Sequence, residues 1–286
     1  MLGVLVPALL ATVWLLFAWR PWSRTPGSDP KAGLWGAPVA LTTAYVAGHV
    51  GVLGAPAWPP AEATHWVFYL TIAAGALGLS ESLSSRRSRW RLWLPRAVLA
   101  VGAVPALLKP YVDYTWTPEQ SVVWILGIAL LSIGFWVELA WALPELPGTT
   151  GWWVLIVLGS GLSVTLVLWA SLTLGLLAGV LAASCGGALF VSLWARGRPM
   201  ASVTVPVLGV VLGLLILSGY LFAELPAGSA LLLAAAPGAA RALPATWLAR
   251  ASSSTRLVLR VAAVAVPVAV VVAHAYLASP PLDPYF

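Results

Sequence analysis

The chain carries three histidines, His49, His65 and His274, each about one turn from the end of a long apolar run. Two of them have neighbours at helical spacing. Glu62 and His65 are i, i+3, just after Pro59 and Pro60, residues that suit the start of a helix. Tyr45 and His49 are i, i+4. Imidazole beside carboxylate at the edge of a membrane can hold a divalent metal, accept a proton or bind a polar head group. His49, His65, His274 and Glu62 are therefore the expected metal-ligand set, and a divalent cation is the cofactor they would take. Two histidine helices facing each other would also suit a haem, and three histidines at one level leave room for one. No two of the three share an apolar run, so spacing alone does not make them converge. The segment 109–120 brings Tyr111, Asp113, Tyr114, Trp116 and Glu119 to the same level, and Glu224 joins them.

Glu138 and Arg241 each lie inside an apolar run. An ionised side chain at that depth is costly unless paired, so these two are expected to meet, as a proton or ion relay or as side chains reaching for the head groups. Arg86, Arg87, Arg89 and Arg91 surround Trp90 and precede Trp93. That cluster suits anionic lipid head groups, each charge contributing about 1 kcal/mol near the surface. Other chemistry is excluded. Cys185 is the single cysteine, so neither a disulfide within the chain nor a cysteine metal cluster can form. Lys31 and Lys109 do not follow glycine as a phosphate-loop lysine must, and no G-x-S-x-G occurs. No catalytic residue is assigned, and an enzyme is the less favoured class.

Of 286 residues, 60% are hydrophobic and 8% charged. A soluble domain would carry about 25% charged residues. The mean hydropathy of +0.93 agrees, and water-soluble folds are excluded. A pI near 9.9 invites nucleic acid as a partner. The basic residues, however, stand in short clusters between apolar runs, where they set membrane topology. A helix needs about 20 apolar residues to cross hydrocarbon. Spans are predicted at 2–19, 34–53, 61–79, 92–108, 121–143, 151–169, 172–195, 202–223, 227–248 and 257–278. They form one membrane-embedded all-α domain over 1–286, with no soluble domain. The runs lack the alternation of a barrel wall. The stretch 151–195 has no charge to divide it and is split near Ala170–Ser171; the ninth span is interrupted by Pro237 and Arg241. Span one is read as an uncleaved helix.

With both termini outside, the inner connections hold Arg20, Arg24 and Lys31, then Arg86, Arg87, Arg89, Arg91 and Arg96, then Arg196 and Arg198, then Arg241, Arg250, Arg256 and Arg260. Of the 15 basic residues only Lys109 falls outside. Ten spans with this orientation, in a bacterial-type cytoplasmic (inner) membrane, are the expectation. Most of the 17 tryptophans fall near span ends, as interfacial anchors do.

Gly175, Gly179, Ala183 and Gly187 recur every four residues, and Gly209 and Gly213 repeat the pattern. Such ridges pack helices closely, within one chain or against a second copy or another membrane protein. Pro38, Pro105, Pro206, Pro237 and Pro267 interrupt spans, as prolines do in transporters. Pro56-Ala57-Trp58-Pro59-Pro60, followed by Trp66-Val67-Phe68-Tyr69, locally resembles the translocator protein (tryptophan-rich sensory) family. The resemblance is confined to 56–69, that family has half as many spans, and it implies a Trp/Pro-rich loop entering a membrane helix and no function. The leading expectation is a carrier or binding protein for a small or lipid-like molecule. The others are a membrane-embedded enzyme or metal site on the outer face, and a non-catalytic subunit of a membrane complex.

Overall fold

Hydrocarbon offers no partner to a backbone N–H or C=O, so long apolar runs close their own hydrogen bonds as helix. The computed structural model of the chain describes residues 2–22, 33–60, 62–84, 89–146, 149–195, 202–243, 248 and 251–278. Within these lie α1 (Leu2–Trp19), α2 (Gly36–Leu53), α3 (Ala63–Leu83), α4 (Arg89–Tyr114) and α5 (Pro118–Glu145). They continue as α6 (Thr150–Leu168), α7 (Leu172–Trp194), α8 (Val205–Phe222), α9 (Ala227–Ala239) and α10 (Ser253–Ala278), with a short 3-10 turn, Ser202–Thr204, ahead of α8. Eight of these helices are long and apolar enough to cross a membrane; α1 and α9 are shorter apolar helices. The chain is an all-α, multi-span membrane helix bundle.

Local chemistry explains several helix ends. Thr117 caps α5 in a full capping box: its hydroxyl accepts from the Gln120 N–H at 3.3 Å, and the Gln120 side chain accepts from the Thr117 N–H at 3.1 Å. Pro118 at the first helical position costs no hydrogen bond there. The uncharged stretch 151–195 divides at a tight turn. Ser171 N–H bonds Leu166 C=O at 2.9 Å and Ala170 N–H bonds Val167 C=O at 3.1 Å, the two bonds of a Schellman ending. Ala170 sits at φ 58°, where glycine usually stands.

Two predicted span ends differ from the structure. The ninth span does not run to 248: α9 ends at Ala239, because Pro237 breaks its ladder and a tight turn follows, with Arg241 N–H on Gly238 C=O at 3.0 Å. At about 1.5 Å per residue its 13 residues reach about 20 Å. The fourth span begins at Leu92 as expected but continues past 108 to Tyr114, and its helix starts earlier, at Arg89, so Arg89 and Arg91 stand on the first turn of α4.

At the centre stand α7 and α8, with 72% of their most apolar stretches buried, against 17% for α10. Around them α1 and α2 pack on α7, α3 on α8, α6 on α7 and α10, and α9 on α5 and α10. The glycine ridges are consumed inside the chain. A β-carbon at Gly187 would strike the Ala8 carbonyl of α1, and one at Gly209 the Trp136 ring of α5 at 2.7 Å. Gly175 meets α6, where Ser163 Oγ donates to its carbonyl at 2.7 Å. Of the two uses expected of such ridges, packing within the chain is the one seen at Gly175, Gly187 and Gly209.

Arg96 makes the shorter of the two salt bridges found among the described residues. Its Nε donates to Glu81 Oε1 at 2.8 Å and its Nη2 to Glu81 Oε2 at 2.5 Å, a bidentate pair between α3 and α4. Nη2 also donates to Ser202 C=O at 3.0 Å, reaching the turn before α8, and the guanidinium lies 5.7 Å from the Trp93 ring centroid. Both side chains are buried, at 4% and 2% exposure. A buried ion pair is only weak evidence for net stability, but breaking one is costly because a desolvated charge is left behind. Glu81→Gln should destabilise the protein by about 3–5 kcal/mol, and the double change Glu81→Leu with Arg96→Met should recover most of it. Thermal unfolding in detergent measures both, and equal losses in single and double variants would contradict this account.

Candidate functional site

Of the four expected metal ligands, three stand at the α2–α3 corner. Glu62 is the N-cap of α3 and exposed, with Thr64 Oγ1 3.4 Å from its Oε2. His65 follows in the first turn of α3, and His49 is wholly buried on α2, its ring 5.2 Å from that of Phe68 on α3. His274 is elsewhere. It is exposed on α10, its ring 6.2 Å from Trp169, its Nδ1 3.5 Å from Ser229 Oγ on α9. Helices α7 and α6 stand between α2 and α10. Among the described residues no group of three or more His, Cys, Asp or Glu is gathered as a metal would need.

His49 has a peculiarity of its own. Neither ring nitrogen has a protein hydrogen-bond partner among the described residues, nor do Tyr45 Oη and Thr42 Oγ1 on the same helix. Positions 42, 45 and 49 fall on one face at helical spacing. The segment 109–120 supplies aromatics more than acid. Tyr111, which donates to Leu221 C=O at the end of α8, stacks on Trp116 at 4.9 Å, and Trp116 stacks on Trp124 of α5 at 5.7 Å.

Glu138 and Arg241 do line one cleft, but they are not each other's partner. Arg241 Nε pairs with Glu145 Oε2 at 2.9 Å and lies 5.3 Å from the Trp141 ring centroid. Glu138 Oε1 accepts from the Gly238 N–H of α9 at 2.7 Å. The expected pair is corrected for a geometric reason: Arg241 lies beyond the end of α9 and reaches the C-terminal turn of α5, where Glu145 is, while Glu138 lies two turns earlier, beside Gly238. The cleft measures about 480 Å³, with Gly134, Val137 and Trp141 on one wall and Gly238 and Ala242 on the other.

A second opening lies further along the same two helices. It is an apolar groove of about 280 Å³ between α5, α8 and α9. Trp124, Ile128, Leu131 and Phe135 line it from α5, Ile216 and Leu217 from α8, and Ala227, Ala230 and Ala234 from α9. Ser132 and Tyr220 supply its hydroxyls. Trp124 closes one end and is itself backed by the Trp116–Tyr111 stack.

No protein-family model matches this chain, and no curated protein matches it in sequence. Its chemistry rests on geometry alone. Of the proposed lipid-binding arginines, Arg86 and Arg87 lie outside the described residues, and so do the side chains of Arg89 and Arg91. Sequence reasoning passed over Glu81 and the apolar groove. Glu81 had a legible sign, an acid in the last turn of an apolar run facing a cation just inside the next. The groove had none, since its lining is ordinary span composition.

A buried polar group without a partner costs roughly 1–3 kcal/mol. His49→Leu, which removes two such nitrogens from beside Phe68, should raise stability by about 1–2 kcal/mol in thermal unfolding. A lowered midpoint would mean that the imidazole is hydrogen-bonded through water.

Proposed function

We propose that this protein binds and carries a lipid-like molecule, admitted from the bilayer into the seam between α5 and α9. The observation that supports this reading is the apolar groove. It is near the lower bound of small-molecule sites, roughly 300–1,000 Å³, and its walls are as apolar as an acyl chain requires. Its position also fits. Both α5 and α9 are peripheral, with exposed Leu130, Leu131, Leu231 and Leu232 around the opening, so a chain would enter sideways from the lipid. The short α9 suits a moving part, since proline-broken helices in transporters line substrate paths.

In this reading all ten helices enter the membrane and both termini face outward, in a bacterial-type cytoplasmic membrane. The distribution of arginines supports it, and α1, at about 27 Å for 18 residues, is nearly long enough to cross. In a Cys185→Ser background, a membrane-impermeant maleimide applied to intact cells should label Thr115→Cys and spare Ser84→Cys. The reverse pattern would invert the orientation.

Native mass spectrometry tests the binding. Protein released from micelles should retain a lipid-sized adduct. Ala234→Phe, which fills the groove, should reduce that adduct several-fold, while Leu232→Phe on the exposed face should not. Equal retention by all three proteins, with matching thermal midpoints, would overturn the proposal.

A further inference from the structure

We propose that the cleft beside Glu138 binds the ammonium head group of a single-chain amphipath whose tail lies in the apolar groove. This rests on the groove reading above and names the class of molecule that would be bound. The two openings follow one another along the same helices. On α5, Ile128, Leu131 and Phe135 of the groove lead to Glu138 and Ala142 of the cleft, each three or four residues on and so on one face. On α9, Ala230 and Ala234 lead to Gly238 in the same way, and Ala242 follows in the turn beyond the helix. From Ile128 to Glu138 the rise is about 15 Å, a distance an alkyl chain can follow.

The charge in the cleft sets the sign of the head group. Arg241 is held by Glu145, and Arg260 of α10 donates to the Glu145 carbonyl at 3.3 Å. Glu138 has no cationic partner among the described residues; its one protein hydrogen bond there comes from the Gly238 N–H. Oε1 is thus engaged, and Oε2 is left to the cleft. An ionised carboxylate at membrane depth is costly until a cation meets it, and an ammonium would supply that charge. Trp141, on the same wall and 56% exposed, offers a ring that attracts cations, as its contact with Arg241 illustrates. Gly238 is part of the device: a β-carbon there would meet Glu138 Oε1 at 2.6 Å and push the carboxylate away.

The test is a scintillation-proximity assay on the full chain in maltoside micelles, with tritiated dodecyltrimethylammonium as probe. Wild-type protein should bind it saturably. Dodecanol should compete, dodecyl sulfate should compete less well than dodecanol, and tetramethylammonium, which has no tail, should compete weakly. Glu138→Gln should weaken probe binding about tenfold, as the loss of one charge-assisted contact does, and leave competition by dodecanol unchanged. Gly238→Ala, which displaces the carboxylate without removing it, should act in the same direction. If dodecanol does not compete at all, the groove reading has failed. If it competes but Glu138→Gln binds the probe as wild type does, the head-group assignment alone is wrong. Competition by tetramethylammonium as strong as by the probe would also overturn it, because the cleft would then take free small cations. Matching thermal midpoints of the variants separate lost binding from lost folding.

Discussion

Hydrocarbon cannot solvate a charge or an unpaired peptide group, and most features of this bundle follow from that constraint. The helices exist because backbone bonds must close within each run. Arg96 can sit at 4% exposure only because Glu81 meets it with both oxygens and Ser202 accepts a further bond. The same constraint marks the places where satisfaction is incomplete. Among the described residues Glu138, held by a single backbone N–H, and His49, with neither nitrogen bonded to protein, are conspicuous for that reason.

Close packing holds the centre of the bundle together. Lipid removes the hydrophobic drive between helices, so contact area and small residues must replace it. The centre shows this: α7 meets α1 through Gly187 and α6 through Gly175, and α8 meets α5 through Gly209. The periphery is looser. There α5 and α9 leave two openings along one seam, the first apolar and the second bearing a carboxylate.

The sequence spoke clearly about depth and poorly about rotation. Apolar runs locate a residue along its helix, and they identified the membrane bundle and the turn at Ala170. Depth also put His49, His65 and His274 at one level. Which way each helix faces is decided by packing, and packing turned His274 toward Trp169 and Ser229, away from the other two. Counting charges places Arg96 among the topology signals and cannot show that Glu81 pairs with it, because composition does not distinguish a wetted arginine from a paired one. Glu138 stood out for its depth, yet its neighbour Gly238 was not legible, because a backbone N–H leaves no mark in composition. The early end of α9 was half visible: Pro237 announced a break, while the turn after Gly238 that completes it leaves no mark in composition.

The Glu81–Arg96 contact has a bearing on how the chain enters the bilayer during synthesis. Each residue lies on its own helix, and a lone charge at the middle of an inserting segment costs about 2.5–3.5 kcal/mol, less near its end. Partitioned one after the other, α3 and α4 would each meet that penalty unaided. Released together as a hairpin, they arrive already neutralised. The pair thus lowers the cost of partitioning α3 and α4 as one hairpin relative to inserting them singly.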